Sequence, residues 1–130
     1  MKILQPPGWP RPKGYANGIS ARGRTIFTAG VVGWDETERF PCKDLPGQFR
    51  QVLANILAIL AEDEAGPQHI VRMTCYVTSR DEYVAGASEI GAAWRELMGR
   101  NFPAMAVVEV SALVEPEAKV EIEATAVVPD

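Results

Sequence analysis

Residues 102–110 read FPAMAVVEV and residues 119–128 read KVEIEATAVV, and the relation between these two segments decides the fold. The second alternates cleanly. Val120, Ile122, Ala124, Ala126 and Val128 fall on one side, and Lys119, Glu121, Glu123 and Thr125 on the other, as in a strand with one buried face. The first is apolar almost throughout, so size rather than polarity sorts it. Ala104, Ala106, Val108 and Val110 form a small, uniform face suited to helix packing, which leaves Met105, Val107 and Glu109 on the opposite face. The connection SALVEPEA has no helical period, which predicts that the two strands are antiparallel neighbours.

Upstream, HIVRMTCYVT (69–78) alternates in the same way, with Met73, Cys75 and Val77 on one side and Arg72, Thr74 and Tyr76 on the other. Two stretches carry the helical period. Phe49, Val52, Leu53, Ile56, Leu57 and Leu60 make one stripe, with Asp44 as cap, Pro46 in the first turn and Gly66-Pro67 as the stop. Tyr83, Ala87, Ile90, Trp94 and Leu97 make another, running from a Ser79/Glu82 capping box to Gly99. RTIFTAGVVGW (24–34) reads as a strand, residues 15–19 as a short one, and the start QPPGWPRPKGYANG as turns. The sum is one domain over residues 1–130, of the α+β class: a two-layer sandwich of a mixed sheet with both helices on one face. The uncovered face mixes Met and Val with glutamates, Arg72, Thr74 and Tyr76. Neither full solvation nor burial inside one chain suits that mixture, so self-association is expected.

Apolar residues at 47% and charged residues at 23% place the chain among ordinary globular domains. The start shows no signal-peptide pattern and no apolar run is long enough to span a membrane. A net charge of −4 argues against a nucleic-acid partner, which calls for a basic face. Cys42 and Cys75 have no redox or metal spacing and read as reduced thiols of a cytoplasmic protein. A single histidine, His69, excludes a His-built metal site and leaves a Ser-His-Asp arrangement without support. The glycines of AGVVG match no phosphate loop, so neither metal nor cofactor is expected. Carboxylates remain for acid–base work: Glu109, Glu121 and Glu123, of which Glu109 and Glu123 read better as rim or ion-pair residues. Trp34 is read either as a packing residue or as an aromatic surface beside a ligand.

GYANGI (14–19), FTAGVVGWD (27–35), QFRQVLANILAIL (48–60), IVRMTCYVT (70–78), FPA (102–104) and AKVEIEATAV (118–127) together resemble the Rid family, also called YjgF, over nearly the whole chain. The resemblance implies a homotrimer of chorismate-mutase-like subunits with ligand clefts between neighbours. It also implies hydrolysis of reactive enamines and imines, such as 2-aminoacrylate, to keto acids and ammonia. By that resemblance Glu121 positions the attacking water and Tyr15 lines the cleft. Gly30 and Val31 offer backbone groups to the ligand, and Val107 occupies a cleft position. The family's substrate-carboxylate Arg, directly after Pro-Ala, is here Met105, so the chain resembles a branch lacking it. A thioether donates no hydrogen bond, and losing an Arg–carboxylate fork costs roughly 100-fold or more in affinity for a small imino acid. Arg11, Arg24 and Arg100 are the remaining candidates for an anchor. The expectation is a Rid-like deaminase, poor on small imino acids, whose partners are its own copies and a small molecule. The alternative is a non-catalytic trimer that binds or senses a metabolite. Ribonuclease labels carried by some relatives find no support in the acidic balance of this chain.

Overall fold

The alternation in residues 70–77 and 120–128 becomes two long strands paired antiparallel inside a five-stranded sheet. The computed structural model describes residues 1–130. In chain order the elements are β1 (Lys2–Ile3), β2 (Ile19–Ser20), β3 (Arg24–Phe27), β4 (Val31–Val32), α1 (Leu45–Ala61), a 3₁₀ turn (Pro67–His69), β5 (Ile70–Val77), α2 (Arg80–Ala85), α3 (Ala87–Met98), β6 (Ala104–Glu109) and β7 (Val120–Val128). The sheet runs β3-β7-β5-β6, with β4 also paired to β7, while β1 and β2 form a separate two-stranded ribbon.

The helices cover one face, as expected, although the second of the two expected helices is split into α2 and α3. Met73, Cys75 and Val77 of β5 and Val120, Ile122, Ala124 and Ala126 of β7 are buried with Phe49, Val52, Leu53, Ile56 and Leu60 of α1 and with Ile90, Trp94 and Met98 of α3. Each fully buried aliphatic or aromatic side chain here contributes about 1.5–3 kcal/mol relative to exposure. The Asp44 carboxylate accepts from the Gly47 N–H at 3.1 Å, and Ser79 Oγ from the Glu82 N–H at 3.1 Å, so the starts of α1 and α2 are capped. The capping box is only half made, because the Glu82 carboxylate instead pairs with Lys119 Nζ at 2.9 Å. The second helical stripe is broken into α2 and α3 around Gly86, where an added Cβ would approach Pro46 Cγ to 2.7 Å. Close approach to α1, which periodicity cannot register, bends the chain there. Gly99 ends α3 at φ +63°, a region where glycine is favoured.

Two expectations about 102–128 are corrected. The segments are not neighbours, since β5 lies between them, parallel to β6 and antiparallel to β7. A crossover through α2 and α3 returns the chain parallel to β5. Residues 110–119 then carry it past β5 to β7. The facing of β6 is also the reverse of the size-based assignment. Its register pairs Met105 with Met73, Val107 with Cys75 and Glu109 with Val77, so these residues point to the helix side. Ala104, Ala106 and Val108 pair with Arg72, Thr74 and Tyr76 on the uncovered face. A segment apolar on both faces carries no alternation, and a slip of one residue exchanges every side chain between faces.

Candidate active site

On the uncovered face, β7 presents Glu121, Glu123 and Thr125 beside Tyr76, Thr74 and Arg72 of β5. The two glutamates are in different states. Glu123 Oε1 accepts from the Tyr76 hydroxyl at 2.9 Å, and that bond, more than desolvation or the charges of Glu123 and Glu121, raises the Tyr76 phenol above the ordinary tyrosine value. Glu121 has no hydrogen-bond or ion-pair partner in the chain; its carboxylate lies against Gly30, where any Cβ would overlap it. Between Thr28, whose N–H reaches the Ala124 carbonyl at 2.9 Å, and the Val31–Ile122 pair, residues 29 and 30 face the single residue Glu123. That is a β-bulge, a device that re-aims side chains beside sites. Val31 is buried and pairs with Ile122, so toward this region it offers backbone only.

Met105 lies elsewhere. From the helix side of β6 it joins Phe49, Tyr83, Ile90, Trp94 and Phe102 around an apolar cavity of about 370 Å³. Trp94 stacks on Phe102 with centroids 6.2 Å apart and planes 4° from parallel, and Trp94 Nε1 is a buried donor without a partner. Tyr15 is at the same end of β6, because the Ala16 N–H bonds the Pro103 carbonyl at 2.9 Å and Ala16 bridges Ala104. It lines a second cavity, of about 210 Å³, together with Arg11, Arg100 and Phe102. Val107 is further along β6 beside Tyr83 and Val84. The chain therefore places Met105 on the helix side of β6, with Tyr15 at the same end of that strand, and Glu121 with Gly30 on the uncovered face, while the Val31 side chain joins the core. Glu121 lines neither the Met105 cavity nor the Tyr15 cavity of its own chain.

The other candidates have structural partners. Glu109 Oε1 accepts from the Arg80 N–H at 2.7 Å, at the start of α2. His69 Nδ1 accepts from the Gly66 N–H at 2.9 Å. Cys75 is fully buried and its thiol is pushed up to about 12 by desolvation, whereas Cys42 is half-buried in a loop. Trp34 packs on Phe40 with centroids 6.0 Å apart, and its carbonyl accepts from Asn55 Nδ2 at 2.7 Å, the packing alternative of the two expected. Arg24 is engaged by Asp63. Sequence reasoning missed the aromatic lining by Phe102, Trp94 and Tyr83; only their shared cavity distinguishes them from core.

A sequence profile described as Endoribonuclease L-PSP matches residues 10–128. A conserved Rid-family protein of Yersinia pestis, YyfB, has the same fold at TM-score 0.83 and 30% identity, over 98% of each chain. This chain belongs to the Rid family. The Rid chain is also 33% identical to a RutC family protein of Pyrococcus abyssi over 119 residues, covering 90% of this chain and 89% of that one. It is 30% identical to a 2-iminobutanoate/2-iminopropanoate deaminase of Salmonella typhimurium over 113 residues, covering 87% and 86% of the two chains. Among Rid structures, a YjgF-family member from Mycobacterium tuberculosis matches at TM-score 0.66 and 30% identity over 88% of this chain and 87% of that one.

Proposed function

We propose that this Rid chain is a hydrolase of a reactive imine or enamine, working in a cleft completed by neighbouring copies in a homotrimer. The observation that carries the reading is Glu121: of the three candidate glutamates it alone lacks an intrachain partner, and it is held against Gly30 at a bulge. Its carboxylate accepts a proton from water as the oxygen bonds to the imine carbon. The proton then passes to nitrogen to give a carbinolamine, whose hydroxyl proton is taken by Glu121 and handed to the amine as the C–N bond breaks, so that a carbonyl product and ammonia leave. An enamine enters the same path after protonation at carbon. The deaminase relative supports the reaction class. The separation of Met105 from Glu121 onto opposite faces of the sheet supports a site built between copies. With an apolar cavity around Met105 in place of a guanidinium, the preferred substrate is larger than the imines of alanine and 2-aminobutanoate.

A second reading, a trimer that binds a metabolite without turning it over, is favoured by Met105 alone. Imines generated in situ from small and large apolar amino acids decide between them. Wild type is expected near background on 2-iminopropanoate and active on a larger imine, Glu121→Gln inactive on all, and Met105→Arg improved on the small one. Activity unchanged by Glu121→Gln removes the assignment of that residue. Ligand-dependent thermal stabilisation with no turnover of any imine supports the binder.

A further inference from the structure

The geometry points to an anion site at Arg11, Arg100 and Tyr15 that takes the carboxylate of a ligand whose apolar body fills the adjoining Met105 cavity. This names the substrate class for the site proposed above and rests on that reading for its place in the cleft. The smaller cavity, about 210 Å³, is lined by two arginines, one tyrosine and no acidic residue, in a chain whose net charge is −4. Neither Arg11 nor Arg100 is used inside the chain, where the ion pairs engage Arg24, Lys43, Arg50, Arg80 and Lys119 instead. A guanidinium offers a fork of N–H donors and a lasting charge, and two converging on one cavity suit a carboxylate.

The cavity is built on tied-down backbone. Gln5 Nε2 bonds the Trp9 carbonyl at 2.9 Å and Gln5 Oε1 accepts from Asn17 Nδ2 at 2.9 Å, clamping the segment that carries Arg11 and Tyr15. Pro10 and Pro12 flank Arg11 and restrict the backbone around it. On the other wall Asn101 Nδ2 bonds the Met98 carbonyl at 2.7 Å, setting the turn that presents Arg100. The two cavities are neighbours: Phe102 lines both, and of the consecutive residues Gly14 and Tyr15 one lines each. A ligand with a charged head and an aromatic or branched body spans them. The arrangement moves the charge recognition that Met105 does not provide to neighbouring residues. Arg95 is the competing cation. Its Nη1 lies back over Gly91, 3.4 Å from where a Cβ would stand, on the wall of the larger cavity only.

Calorimetry with phenylpyruvate, with the neutral ketone phenylacetone and with pyruvate tests this on the full chain. Phenylpyruvate is expected to bind wild type more tightly than pyruvate and to weaken with added salt. Its affinity falls roughly 10-fold or more in the Arg11→Gln/Arg100→Gln variant, a loss of about 1.4 kcal/mol, while phenylacetone binding is unchanged. Absence of phenylpyruvate binding, equal affinity in the double variant, a loss produced by Arg95→Gln instead, or tighter binding of pyruvate each overturns the inference. Glu121→Gln separates the two readings: it is expected to bind phenylpyruvate normally and to lose turnover. If no imine is turned over but the arginines still control binding, the deaminase reading falls and the anion site stands.

Discussion

Glu121 and Glu123 are two residues apart on one face of β7, yet Glu123 is bonded to Tyr76 whereas Glu121 has no hydrogen-bond partner and lies against the backbone of Gly30. That contrast yields a test. In Gly30→Ala the added methyl overlaps the Glu121 carboxylate, the free end of a flexible side chain, so the carboxylate swings away while the fold survives. Turnover is expected to fall about 100-fold with the melting temperature nearly kept, because small displacements of a catalytic group cost that much. The raised Tyr76 phenol has a definite sign. The folded state holds the proton more tightly than the unfolded one, so the stabilisation is complete below the ordinary tyrosine range and is lost as pH rises through the folded value. Phenolate absorbance should show Tyr76 titrating late, and earlier in Glu123→Gln. The buried Cys75 is expected to resist a disulfide reagent until the protein unfolds, while Cys42 reacts in the native state. Residue types alone narrowed the carboxylates to three; which of them lacks a partner depends on strand pairing.

At the scale of elements, the helices and the two alternating strands were legible because periodicity and capping residues are local. Asp44, Ser79 and Gly99 act where they stand in the chain. Ser79→Ala is expected to cost about 1 kcal/mol in denaturant unfolding. Gln48 was not legible. It sits in the polar gap of an amphipathic stripe but is fully buried, its Nε2 bonding the carbonyls of Cys42 and Glu117 and its Oε1 accepting from the Lys119 N–H at 2.7 Å. It fastens two neighbouring segments, the loop before α1 and the approach to β7, to α1. Gln48→Leu strands those backbone groups, and a loss of about 3 kcal/mol is expected by the same measurement. The facing of β6 was misjudged because side-chain size was the only available sorting rule, and its edge position leaves both of its faces partly open.

At the scale of the whole molecule, the sheet has one face without helices and one long edge, β6, paired outward only at Ala104. On that face Phe27 is 75% exposed opposite Thr125, beside the Tyr76–Glu123 pair. No helix is long and apolar enough to cross a membrane. An apolar ring amid hydrogen-bonded polar groups suits contact with another copy better than water. Sedimentation is expected to give three times the chain mass, and Phe27→Lys to shift the protein toward smaller species. A wild type sedimenting as single chains would remove the cleft on which the proposed function depends.

By itself, the sequence determined the α+β class, the two helical stripes, the buried halves of residues 70–77 and 120–128, and the family, because each is written in local period, capping or motif. Tertiary structure alone decided that β5 separates β6 from β7, that Met105 and Glu121 leave opposite faces, and that Arg11, Arg100 and Tyr15 share a cavity. The physical reason is that these depend on strand order, on register and on where the chain returns. Backbone hydrogen bonds form between strands whatever their side chains, so packing across the whole sheet selects the arrangement.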